Sequence, residues 1–150
     1  MTHGCAGECP DIGAFFTVNI IGKSMFPVFS SGSTAKARLC SFNDLCAGDI
    51  AVFKNVDGGF TCHRVFKKVL KDGRRFLKTK GDATLRFDSP VPVDLFAGKI
   101  VSVKRCGIDI PVENMLCRVA GLAFGYALPL LARPFIYAKR VLSRVARNQR

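Results

Sequence analysis

Three short stretches carry side chains whose types and surroundings suit acyl-transfer chemistry. Gly22-Lys23-Ser24-Met25-Phe26-Pro27 follows an apolar run that ends at Ile21. A serine at a strand end, beside Gly and a Pro-containing turn, is offered from a rigid edge with its backbone N–H turned outward, as a nucleophile that also binds an oxyanion requires. Thr61-Cys62-His63-Arg64-Val65 holds the second group, with Thr61, His63 and Val65 on one face of a strand and Cys62, Arg64 and Phe66 on the other. Imidazoles titrate near neutrality and can take a serine proton there. The chain has 2 histidines and His3 lies in an irregular lead-in, so an imidazole base must be His63. The third stretch, Lys78-Thr79-Lys80-Gly81-Asp82-Ala83 followed by Asp88-Ser89-Pro90, supplies two carboxylates, Asp82 and Asp88. Either can bind the imidazole N–H, set its tautomer and stabilise the imidazolium. Each group taken singly also has an ordinary reading: a Ser-x-x-Pro turn, a hydrogen-bonded strand histidine, and aspartates in loops.

The elements that must position these groups are β-rich. After the lead-in at 1–13, apolar or alternating runs cover Phe15 to Ile21, Thr34 to Leu39, Asp49 to Phe53, Phe60 to Leu70, Arg75 to Thr79 and Lys99 to Lys104. Asp57-Gly58 and Asp72-Gly73 are hairpin-type dipeptides, so the 60–70 and 75–79 runs are expected as antiparallel neighbours, with both aspartates following the strand beside that of His63. The expectation is a mostly β domain over 14–110 with a closed or half-closed antiparallel sheet, then a helical extension over 111–150. Within the extension, Pro129 and Pro134 are expected to kink or restart the helix. Beyond Pro134, Phe135, Ala138, Val141, Leu142 and Val145 share one face, and Lys139, Arg140, Arg144 and Arg147 the other.

The charge is uneven along the chain. Lys and Arg number 23 against 11 Asp and Glu, a net +12, and after Glu113 seven cations follow with no acid. An apolar stretch next to such a basic run fits an anionic membrane surface, on which the segment would lie in the plane, or a C-terminal helix packed on its domain. Nucleic acid is disfavoured, because the tail lacks aromatic residues interleaved with its cations. The run from Val119 to Ala132 is bounded by Arg118 and Arg133 and is too short to cross a bilayer unaided. No secretory leader pattern is read at the N-terminus. The 7 cysteines are scattered without a CxxC pair and read as free thiols of a reducing compartment; His3, Cys5 and Cys9 are weighed as metal ligands and set aside, so neither metal nor cofactor is expected.

Taken in order, GKSMFP, GDIAVFK, CHRV, LKTKGDA, DSPV and GKIV resemble the signal peptidase I family, in particular its endoplasmic-reticulum and archaeal-type branch, over about Ile20 to Val103. The resemblance implies a mostly antiparallel β fold with an extended peptide laid along a sheet edge. It further implies Ser24 as acylating nucleophile and His63 as general base and later acid. Asp88 is then the third member of the triad and Asp82 a neighbouring support, their division left open. The implied activity is a membrane-associated serine endopeptidase that cleaves signal- or leader-like peptides at small residues. The chain departs from the family in having Gly22 where many relatives place a hydroxyl residue, Phe26 after the Met, no membrane anchor ahead of the serine box, and several thiols, including Cys62 beside His63. The side of the membrane and any partner subunits stay open.

Two rival readings accompany this one. The self-cleaving SOS repressors share the β fold and a Gly two residues before their serine but pair it with Lys; here Lys67, Lys78 or Lys80 would serve as base only if desolvated. A catalytically idle module that holds an extended peptide on the same edge and rests on lipid through its tail is the alternative from another functional class.

Overall fold

The computed structural model of the chain describes residues 14–55, 58–105 and 107–148, with 132–148 described as helical backbone without their side chains. It is mostly antiparallel β with one C-terminal helix. The strands are β1 (Phe15–Asn19), β2 (Thr34–Arg38), β3 (Ile50–Lys54), β4 (Phe60–Lys71), β5 (Arg74–Lys80), β6 (Val91–Pro92), β7 (Phe96–Arg105) and β8 (Ile108–Pro111), and the helix is α1 (Met115–Asn148). They form one curled sheet in the order β1-β2-β7-β3-β4-β5-β6, with β8 added along the second half of β7. The lead-in at 1–13, with His3, Cys5 and Cys9, lies outside the described residues.

The register follows from alternation and turn chemistry. In β3, Ile50 and Val52 enter one apolar cluster with Val18, Met25, Phe29, Ala35, Cys62 and Ile100, while Ala51 and Phe53 enter a second with Phe42, Leu45, Val65, Leu77 and Val91. An apolar run without polar alternation is thus a strand covered on both faces. The β4–β5 hairpin turns through Asp72 and Gly73, whose φ of 50° and 72° are those of a two-residue type I′ turn. It pairs Arg64 with Lys80 and Val65 with Thr79, then slips at a bulge between Val65 and Lys67.

Several boundaries differ from the sequence reading. β1 stops at Asn19, before Ile20 and Ile21, which belong to the loop leading to Ser24. β6 and β8 are short strands that alternation alone did not mark: β6 pairs with β5 across the 81–90 loop, and β8 pairs antiparallel with β7, the strand just before it. The largest difference is α1, continuous from 115 to 148 through Pro129 and Pro134 rather than restarted there.

The first half of α1 is docked on the back of β4. Gly121 lies against the Arg64 guanidinium so closely that a Cβ there would sit 2.1 Å from Cζ, and a Cβ on Gly125 would meet the Phe66 ring at 2.4 Å. Glycines one turn apart therefore let the helix backbone rest on two large side chains of the same strand. Ion pairs fasten the helix start: Arg118 to Asp49 at 2.6 Å, and Glu113 to Lys99 and to Arg38, each at 2.5 Å. Apolar side chains on the outer side, among them Leu116, Val119, Leu130 and Leu131, stay exposed.

Candidate active site

Ser24 lies in the turn that follows β1, and its neighbours explain how the turn is held. Met25 and Phe29 are buried in the first apolar cluster, the Phe29 amide donates to the Met25 carbonyl, and the Phe26 amide to that of Lys23. From the far side, the Ala83 amide donates to the Ser24 carbonyl at 2.8 Å, and a Cβ on Gly81 would lie 2.6 Å from that oxygen. The Lys-Gly-Asp stretch thus serves first as a backbone clamp on the serine. Gly22 has φ of 105°, which accounts for glycine here by conformation. Phe26 is exposed, and the wall beside the serine is built instead by Met25, Phe29, Val18 and Phe60.

His63 is brought to Ser24 by the register of β4 against β3, where it stands opposite Ala51. The Ser24 hydroxyl and His63 Nε2 are 3.1 Å apart, and His63 Nδ1 and Asp88 Oδ2 are 2.6 Å apart. With Nδ1–H donating to the carboxylate, Nε2 is left to accept from the hydroxyl. The Phe53 ring meets the imidazole edge-on at 6.2 Å and fixes its other side.

Asp88 is held from behind by Thr79. The buried Thr79 hydroxyl donates to the same Oδ2 at 2.7 Å, and the Asp88 amide donates to the Thr79 carbonyl at 3.0 Å. Burial on its own would raise the Asp88 carboxyl, but the hydrogen bonds from His63 and Thr79, with the attraction of His63, outweigh it and hold the group below 3.8. The sequence reading did not single out Thr79. Its signal was the register itself, which puts Thr79 across from Val65, two positions along β4 from His63.

Asp82 takes a different place. Both its oxygens receive the Arg64 guanidinium, from Nε at 2.8 Å and Nη2 at 2.6 Å, with both side chains 1% exposed. Arg64 Nη1 also donates to the Gly48 carbonyl at 2.7 Å and to the Cys117 carbonyl at 3.4 Å, further hydrogen bonds of the kind that a buried ion pair needs. The two aspartates are therefore divided between the two faces of β4: Asp88 meets His63 and Asp82 meets Arg64. Arg64 was likewise missed, although the face alternation that isolates His63 sends its neighbour inward.

Of the three lysines weighed as bases, Lys67 and Lys78 are exposed. Lys80 is buried, and burial lowers its ammonium against the opposing effect of Asp82. Its Nζ donates to the Gly125 carbonyl of α1, which spends the amine on holding the helix. Cys62 is buried in the first apolar cluster, and burial pushes its thiol up to about 11, so it stays protonated beside His63.

A cleft of about 310 Å³ opens beside the Ser24–His63 pair between the β1 end and β4, lined by Val18, Ile20, Gly22, Met25, Phe60 and Cys62. A second, almost wholly apolar groove of about 370 Å³ runs on the other side of His63, against Phe53, Pro90, Val91 and Leu95. A peptide backbone passing His63 would find a cleft of mixed polarity on the Ser24 side and an apolar surface on the other. Among the described residues no group of three His, Cys, Asp or Glu side chains is placed to hold a metal, and no helix is long and apolar enough to cross a membrane. Comparison with family models, with curated proteins and with solved structures finds no match to this chain.

Proposed function

We propose that the protein is a serine endopeptidase of the signal peptidase type, acting through Ser24, His63 and Asp88 on signal- or leader-like peptides at a membrane surface. The observation that carries this reading is the unbroken chain from the Ser24 hydroxyl through both ring nitrogens of His63 to Asp88. In the reaction, Ser24 Oγ attacks the scissile carbonyl carbon while His63 Nε2 takes the hydroxyl proton. The resulting imidazolium is stabilised by Asp88, which keeps its charge. Collapse breaks the C–N bond, the amine leaves with the proton from Nε2, and an ester to Ser24 remains. Water then attacks the ester as His63 accepts its proton, and the proton returns to Ser24 when the ester bond breaks. Thr79 is a positioning residue that acts through Asp88, and Asp82 with Arg64 holds the helix and the strand together behind the site.

The preference for small residues at the cleavage point comes from the family resemblance. Membrane association is assigned to α1, whose outward residues Leu116, Val119, Leu130 and Leu131 are exposed and whose sequence continues into a basic stretch. The idle-module alternative draws support from Gly22, which brings no side-chain donor to the oxyanion. An acylating serine probe separates the two: labelling of Ser24 that disappears in His63→Ala supports the peptidase, together with loss of leader cleavage in Ser24→Ala. Cleavage that survives Ser24→Ala ends the proposal.

A further inference from the structure

The loop from Gly81 to Asp88 touches both ends of the catalytic chain. Near its start the Ala83 amide holds the Ser24 carbonyl, and at its end Asp88 binds His63. Between them the Thr84 hydroxyl is bonded to the Gly81 carbonyl at 2.9 Å and to that of Arg86 at 3.2 Å, which closes the loop into a compact tip. That tip presents Leu85, Arg86 and Phe87, with Leu85 41% and Phe87 38% exposed. Charged or small residues would suffice for an ordinary solvated tip; two large apolar side chains flanking a cation instead suit the boundary between acyl chains and headgroups.

The tip is joined to the helix by aromatic rings. Phe87 meets Phe66 edge-on at 5.0 Å, and Phe66 meets Tyr126 of α1 edge-on at 5.1 Å. Tyr126 is 59% exposed and neighbours the outward apolar side of the helix, while Lys78 Nζ stands 4.3 Å from the Phe87 ring centre. Apolar side chains with Lys78 and Arg86 among them, on a chain of net charge +12, complement an anionic bilayer.

We propose that the Leu85–Phe87 tip is a second lipid contact beside α1, and that docking on an anionic bilayer steadies the loop that holds Ser24 and Asp88. The effect on turnover rests on the peptidase reading, whereas the lipid contact and the steadying of the loop do not. A bilayer engages both the tip and the helix, and the Phe87–Phe66–Tyr126 stack makes them one surface. With the tip immersed, the Ala83 and Asp88 amides open less often.

The test uses the full chain with phosphatidylserine-rich vesicles and pure phosphatidylcholine vesicles, read by flotation, by amide exchange and by cleavage of a soluble leader peptide. The wild type is expected to float with the anionic vesicles, to slow exchange at Ala83 and Asp88, and to raise kcat several-fold on binding. Leu85→Ser/Arg86→Glu keeps the vesicle-free activity, binds anionic vesicles at least about tenfold more weakly and loses the stimulation. Tyr126→Leu keeps an apolar contact but breaks the stack, so it floats like the wild type and is stimulated less. Wild-type flotation and exchange in Leu85→Ser/Arg86→Glu overturn the proposal, as does self-association through this face without vesicle binding. If no peptide is cut under any condition while flotation and exchange behave as stated, the peptidase reading fails and the lipid contact stands. Flotation without slowed exchange at Ala83 and Asp88 overturns the coupling.

Discussion

Thr79→Val isolates the second support of the proposed acid. Valine keeps the volume and the branched shape of threonine, and the site is fully buried opposite Val65, so the β4–β5 pair can hold it. The Thr79 carbonyl still accepts from the Asp88 amide, and only the hydroxyl donation at 2.7 Å is lost. A hydrogen bond to a charged group contributes about 1.5–3 kcal/mol. The Asp88 side chain is 26% exposed, so water can replace part of the lost donation and the low end applies. If that contribution is realised in the transition state, where the imidazolium leans on Asp88, about 1.5 kcal/mol lowers kcat about tenfold. Thr79 lies behind Asp88 and outside both clefts, so KM for a leader peptide is expected to stay unchanged. Thr79→Ser should restore kcat, and the acid limb of the kcat/KM profile should move in Thr79→Val but not in Thr79→Ser. Steady-state kinetics across pH, with thermal unfolding as a control, reads all of this. Wild-type kcat in Thr79→Val, or an equal loss in Thr79→Ser, would refute the reasoning.

Asp82→Asn and Asp88→Asn should fail differently: the first leaves the buried Arg64 charge without its partner and costs about 3–5 kcal/mol of stability in denaturant titration, while the second spares most of the stability and loses the activity. Equal stability losses would contradict the division of the two aspartates. Gly121→Ala forces a methyl into the Arg64 guanidinium and should cost at least about 1–3 kcal/mol, seen as a lowered Tm; an unchanged Tm would mean that α1 does not rest on β4 as described. Because the Asp88 carboxyl is held below its ordinary 3.8, the stability it contributes is complete above that value and is lost as pH falls through the lower folded-state value. Acid unfolding of Asp88→Asn should therefore show a shallower slope below 3.8 than the wild type does. Cys62, with its thiol pushed up to about 11, should resist alkylation at pH 8 until the chain unfolds, and rapid labelling in the native state would contradict its burial.

Local chemistry was enough for the sequence to determine the β character of 14–110, the hairpin at Asp72-Gly73 and the helical C-terminus, and to mark His63 as the one strand histidine, whereas Ser24 was singled out by the family resemblance. The former depend on alternation, on turn residues with positive φ, and on the scarcity of histidine, all of which are properties of short windows. Pro129 and Pro134 do not restart the helix, which runs through both, so a proline in a helical stretch is a weaker boundary signal than the sequence reading made it. What only the tertiary structure decided was long-range. Asp82 and Asp88 are similar loop residues in the sequence, and their separation follows from which face of β4 each one meets. Thr79 acquires its place from strand register, and Gly121 and Gly125 from the two side chains on which the helix rests. A one-residue slip of β4 would exchange His63 with Arg64 between the two faces, so it is the pairing of that strand with β3 and β5 that turns four scattered polar residues into a hydrogen-bonded site on one side and a buried ion pair on the other.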